Sequence, residues 1–255
     1  MNFLSIPALR CRSFAAKITL VGFVLLNSPF SAAEPKGFQE LFNGRDLSGW
    51  EGQADRWSVR DGAITGQTTS ELPLKANTFI VWKGGTPANF ELRVKFRLTG
   101  ENEQKWGNSG IQYRSKLVDP VAFVVGGYQA DIDAAGKYVG MLYEERGRGI
   151  LMAPGEKVRV TAAAPGAKEK AAVEKLAVVT TAAEVLAAYK IGDWNEFVVL
   201  AEGNHLRHYL NGVLTADVTD DDTALAPRDG VLALQLHQGP PMTIQFKSIQ
   251  LKTLP

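Results

Sequence analysis

Tyr128-Gln-Ala-Asp-Ile-Asp133 (YQADID) reads as a strand with two unlike faces. Side chains two apart share a face of a strand, so Tyr128, Ala130 and Ile132 form an apolar side and Gln129, Asp131 and Asp133 a polar one. The pattern recurs along the chain. Ser109–Arg114 (SGIQYR) sets Ile111 and Tyr113 against Gln112 and Arg114, and Gly230–His237 (GVLALQLH) sets Leu232, Leu234 and Leu236 against Gln235 and His237. Phe90–Leu98, Phe197–Ala201, His205–Leu210 and Thr243–Leu251 are further strands by the same rule. Asp61-Gly62 and Asn211-Gly212 lie between such runs and suit two-residue type I′ turns, in which both residues take positive φ. Many short strands spread over the whole chain predict an all-β fold: a two-sheet antiparallel jelly-roll sandwich.

Working outward, residues 1–33 read as a secretion signal. Arg10, Arg12 and Lys17 precede an apolar run from Ile18 to Leu26, and Ser31-Ala32-Ala33 supplies the small residues of a cleavage site. The run falls short of the roughly 20 apolar residues that span a bilayer. The expectation is an exported protein, periplasmic or secreted, with no membrane span once the signal is removed. Its domain would be 34–255. The single cysteine, Cys11, lies in the signal, so disulfide and thiol chemistry are not expected beyond it. Three of the 28 basic residues and none of the 27 acidic ones lie in the signal, which leaves a slightly acidic chain without the basic stripe of a nucleic-acid binder. Residues 155–190 differ in composition, with an Ala/Lys/Glu stretch followed by AAEVLAAYK, and read as an insertion carrying a short helix that ends by Gly192.

The polar faces carry the chemistry. Gln112, Arg114, Gln129, Asp131, Asp133, Gln235 and His237 are amides, carboxylates, an arginine and a histidine rather than the Thr, Lys and Ser of an ordinary solvated sheet. Groups that bond two hydroxyls at once suit sugar recognition. Met141–Gly149 (MLYEERGRG) adds Tyr143 for stacking and Glu144 as an acid or base, with alternation leaving open which of Glu144 and Glu145 faces the site. Trp106, beside Gly107-Asn108, is the tryptophan best placed as a sugar platform. His205 and His208 fall on opposite faces and make a poor metal pair.

An ordered series of stretches, LFNGRDLSGW (41–50), WSVRDGAITG (57–66), WGNSGIQYRS (106–115), GYQADID (127–133), DWNEFVV (193–199), HYLNGVLTADVTD (208–220) and GVLALQLHQGPPMTIQFKSIQLK (230–252), resembles the 3-keto-disaccharide hydrolase family. The resemblance implies a concanavalin A-like sandwich acting on glycosides whose C3 hydroxyl has become a ketone. Such a ketone acidifies the C2 hydrogen, and loss of that proton expels the C1 substituent by β-elimination; added water gives net hydrolysis. This chemistry needs a base at C2, a donor or cation at the developing oxyanion and an acid for the leaving oxygen. Glu144 and His237 are the expected base and acid in either order, and Arg114 the expected enolate stabiliser. Gln112, Gln129, Asp131, Asp133, Tyr143, Gln235 and Trp106 would hold the sugar. A divalent metal on His237 and a carboxylate is the second reading of the electrophile. The substrate implies a partner oxidoreductase that makes the ketone.

Two other readings compete. A retaining jelly-roll glycosidase of the laminarinase type needs two glutamates around an aspartate on one strand. Here the stretch is Gln129-Ala130-Asp131-Ile132-Asp133, and a glutamine cannot be the nucleophile. A non-catalytic carbohydrate-binding module needs the same polar face but no base, and a partly buried titratable group there separates enzyme from module.

Overall fold

The computed structural model describes Met1 and residues 37–255; the signal reading lies outside the described residues. Two sheets face each other. The larger contains β1 (Gln39–Glu40), β3 (Trp57–Arg60), β4 (Ala63–Thr68), β6 (Phe90–Gly100), β11 (Glu156–Ala162), β12 (Ala171–Val178), β13 (Asn195–Glu202), β14 (His205–Leu210), β15 (Val213–Asp220) and β17 (Met242–Thr253). They run in the order β12-β11-β15-β14-β13-β6-β17-β4-β3, with β1 also paired to β17. The smaller contains β2 (Trp50–Glu51), β5 (Thr78–Trp82), β7 (Asn108–Asp119), β8 (Val124–Asp133), β9 (Leu142–Glu145), β10 (Gly149–Met152) and β16 (Val231–Leu236), in the order β10-β9-β8-β7-β16-β5-β2. Every pairing is antiparallel except β11 with β15.

The alternation works as the sequence predicts. Phe90, Leu92, Val94, Phe96 and Leu98 of β6 are buried with Ile111 and Tyr113 of β7, Tyr128, Ala130 and Ile132 of β8, and Leu232, Leu234 and Leu236 of β16. Each large side chain so buried stabilises the sandwich by about 1.5–3 kcal/mol before the entropy of ordering it. Both expected hairpin turns have positive φ at both central residues: 51° and 70° at Asp61-Gly62, 49° and 86° at Asn211-Gly212. Trp50, Trp57 and Trp82 are core residues.

Segment 155–190 widens the large sheet. The Ala/Lys/Glu run, whose composition favours helix, is instead strand β12, paired to β11 from Glu156↔Val178 to Ala162↔Ala171. Helix α1 (Ala182–Ala188) follows, opened by a capping box in which Thr181 and Glu184 satisfy each other's backbone N–H groups. Val185 anchors it in the core. Among the described residues no helix is long and apolar enough to cross a membrane.

Candidate functional site

The outward face of the small sheet gathers side chains from five of its neighbourhoods. Gln112 (β7), Gln129 and Asp131 (β8) and Gln235 (β16) are each 0–2% exposed. The amides of Gln112 and Gln129 meet at 2.8 Å, and Gln235 Nε2 donates to Gln129 Oε1 at 2.9 Å. Gln129 Nε2 donates to Asp131 Oδ1 at 2.7 Å, and Asn108 Nδ2 to Asp131 Oδ2 at 3.3 Å. Gly110 makes room for this packing, since a Cβ there would stand 2.3 Å from the Gln129 side chain. Glu145 reaches across from β9 to accept from Gln235 Nε2 at 3.2 Å, and also bonds Asn77 in front of β5. Gln235 Oε1 is buried without a partner among the described residues, an unused acceptor on this face.

Among the described residues no arginine or lysine is bonded to this cluster, and its electrostatics follow. Burial pushes Asp131 up to about 8, with Asp133 and Glu145 adding to the shift and the Gln129 and Asn108 bonds opposing it. Burial likewise raises Glu145 above the usual carboxylate range, against the pull of Arg146, Asn77 and Gln235. His237 lies two residues beyond Gln235, just past the end of β16, its ring edge-on to Trp106 with centroids 5.5 Å apart. Its Nδ1 lies 2.5 Å from the carbonyl oxygen of Gln238. A carbonyl only accepts, so Nδ1 carries the proton and Nε2 keeps a lone pair. Burial lowers the affinity of this imidazole for a second proton, which favours the neutral base at pH 7. Tyr143, on the same face of β9 as Glu145, is half-buried.

Two expected site residues lie elsewhere, and a third is taken up by a turn. Arg114 should share a face with Gln112, but β7 bulges between Tyr113 and Lys116 and Arg114 takes φ 45°. The bulge turns its side chain to the interior, where it donates to Ala88 O (2.8 Å), Gly203 O (2.6 Å) and Asn89 Oδ1 (3.3 Å) in loops of the opposite sheet. Arg114 therefore ties the sheets together and does not face the polar cluster. Glu144 also points inward, on the side of Leu142, where Arg148 donates to it from Nε (2.5 Å) and from its backbone N (3.1 Å). A carboxylate held so is no free base; Glu145 occupies the place expected for it. Asp133 accepts from the backbone N–H groups of Ala135 (3.3 Å), Lys137 (2.7 Å) and Tyr138 (3.1 Å), so its carboxylate builds the turn after β8.

Asn108 is the cluster member absent from the sequence expectation, and Glu145 the one that expectation left open against Glu144. Both had a signal: Asn108 is in phase with Gly110 and Gln112, and Glu145 is out of phase with apolar Leu142. Among the described residues no three His, Cys, Asp or Glu side chains converge as a metal site.

The fold is a two-sheet β-sandwich with a buried amide and carboxyl cluster on its smaller sheet. The model of the 3-keto-α-glucoside-1,2-lyase-like domain matches residues 37–252, and the chain belongs to that family. Two structures from Parabacteroides distasonis, assigned provisionally to the glycosyl hydrolases, share the fold. One is 19% identical with TM-score 0.53, covering 86% of this chain and 94% of its own. The other is 17% identical with TM-score 0.53, covering 85% and 99%. The carbohydrate-binding module CBM66 of Bacillus subtilis is 16% identical with TM-score 0.50, covering 80% and 96%. At these identities the likeness is one of fold. No curated protein matches the chain in sequence.

Proposed function

We propose that the protein cleaves glycosides whose C3 hydroxyl has been oxidised to a ketone, on the outward face of the small sheet. The observation that carries this reading is the cluster itself. It holds two carboxyl groups of raised pKa, with no cation among the described residues bonded to them, and His237 follows two residues after its member Gln235. A module that only binds sugar has no need of poised acids and bases.

His237 takes the C2 proton on Nε2, and the electron pair moves onto the C3 oxygen as an enolate. Asp131 is protonated at neutral pH and donates a hydrogen bond to that oxygen, with the amide nitrogens beside it. This replaces the cation that Arg114 was expected to supply. The enolate then collapses: C3=O re-forms, C1=C2 forms, and the C1–O bond breaks with Glu145 delivering a proton to the leaving oxygen. Water adding to the unsaturated product gives net hydrolysis. Tyr143 and Trp106 flank the sugar. The ketone must come from an oxidoreductase acting earlier on the same glycoside.

The test is release of aglycone from a 3-keto-glucoside and from the same glucoside unoxidised. Cleavage of the keto substrate alone supports the reading, and a chelator-sensitive rate would move the electrophile to a metal. Glycan binding with neither substrate cleaved would make the protein a binding module like its CBM66 neighbour. The kcat/KM profile should be bell-shaped, rising below pH 6.5 as His237 loses its proton and falling near pH 8 as Asp131 loses its own. In Asp131→Asn the amide still donates but cannot titrate, so activity should persist while the fall near pH 8 disappears and the remaining alkaline limb is the one set by Glu145.

A further inference from the structure

A cavity that shares Glu145 with the cluster is not used by the reaction above. It is about 400 Å³ and lies between the ends of β7 and β8, the β9–β10 turn and the 224–229 segment leading to β16. Glu145 belongs to both places.

Four cations line it: Arg114, Lys116, Arg146 and Arg228. Among the described residues, none of the four has a carboxylate within ion-pair distance. Arg114 spends its N–H groups on neutral oxygens, which satisfy its hydrogen bonds and leave its charge uncompensated. The wall holds three carboxylates, Glu144, Glu145 and Asp229, the first of them bonded to Arg148. Against these stand four positive groups, so the cavity is net positive in a chain whose formal charge is +1 overall.

The backbone is shaped to hold this arrangement. Arg146 sits at φ 55°, a region uncommon for a side chain of its size, at the tip of the β9–β10 turn. Gly126 keeps the wall open, because a Cβ there would stand 3.2 Å from the Glu145 carbonyl and 3.5 Å from Arg146 Cβ.

We propose that this cavity receives an anionic group, a carboxylate, sulfate or phosphate ester, carried by the substrate beyond the bond that is cleaved. The preferred substrate is then a keto-glycoside with an acidic aglycone or acidic neighbouring sugar. The assignment rests on the polar cluster being the keto-glycoside site. Arginine forks and a lysine favour oxyanions by charge-assisted hydrogen bonds.

The experiment compares three 3-keto-glucosides that differ only at the para position of a phenyl aglycone: methyl, carboxylate and phosphate. Wild-type protein should prefer one or both acidic substrates over the neutral one in kcat/KM by about tenfold or more, and the preference should shrink as salt is raised. The ratio of the two charged arms identifies which oxyanion the cavity suits. In Lys116→Ala/Arg146→Ala, with folding checked by circular dichroism, the ratio of acidic to neutral kcat/KM should fall towards one. Equal rates on all three substrates in the wild type overturn the proposal, as does a preference that survives the double substitution. If no substrate is cleaved, the functional reading has failed, and calorimetry with the unoxidised carboxyphenyl and methylphenyl glucosides decides the cavity separately. Tighter binding of the charged glucoside that is lost in the double variant keeps it as an anion site; no difference removes it.

Discussion

Strands β8 and β9 carry two polar clusters back to back, and the two are built on opposite terms. On the inner face, Arg148 stands between Glu144, Asp220 and Asp222, at 2.5, 2.5 and 3.5 Å, with all four side chains 1–8% exposed. Tyr128 donates to Asp220 beside it. Burial alone would lower the pKa of Arg148, yet its bonds to Asp220 and Glu144 hold it well above its ordinary value. On the outer face, Gln129, Asp131, Gln235 and Glu145 interlock with no cation bonded to them, and burial pushes the carboxyl groups upward. Adjacent residues of one strand, Glu144 and Glu145, thus meet opposite fates. A carboxylate locked on a guanidinium is structural; one left among neutral amides keeps a proton to exchange.

The largest expected effect breaks the inner cluster. Arg148→Met removes the one cation and leaves three buried carboxylates facing each other. It should cost about 3–5 kcal/mol of stability in urea unfolding. A loss below about 1 kcal/mol would show that the cluster is not the structural half of the pair. The neighbouring glutamates sharpen the contrast further. Glu145→Gln should cut turnover of a 3-keto-glucoside by about a hundredfold, within the usual range for a general acid, and leave the melting temperature nearly unchanged. Glu144→Gln should do the reverse, lowering the melting temperature while folded protein keeps most of its kcat. Exchange of these two outcomes would reverse the assignment of the faces. The smallest effect is Tyr128→Phe, which removes one buried hydrogen bond to Asp220 and should cost about 1–2 kcal/mol with activity retained.

The strands, the two Asx-Gly turns and the polar face were legible because each rests on local rules, period-two alternation and positive φ. What was not legible depends on breaks in that period. Nothing in Gln112-Tyr113-Arg114 marks a bulge. A left-handed arginine is rare, so alternation carried Arg114 to the wrong face. At Tyr143-Glu144-Glu145 the phase had to be taken from Leu142, a single apolar residue. Asp133 was on the expected face, but its role is set by backbone groups two to five residues ahead of it, which no strand pattern encodes. The β12 segment shows the same limit from the other side: Ala, Lys and Glu favour a helix locally, and pairing with β11 overrides them.

The position of the last strand has a consequence for the order in which the molecule can be made. β17 lies between β6 and β4, and it also holds β1 through Gln39↔Leu251 and Glu40↔Gln250. A chain growing from its N-terminus therefore acquires this interior strand of its larger sheet only after the other strands of that sheet have been made. Until Met242–Thr253 is available, β6 has β13 on one side and bare backbone on the other, and β3–β4 remain a detached hairpin. Closure of the larger sheet therefore waits for β17, and a chain that lacks Met242–Thr253 has a sheet missing an interior strand rather than an edge.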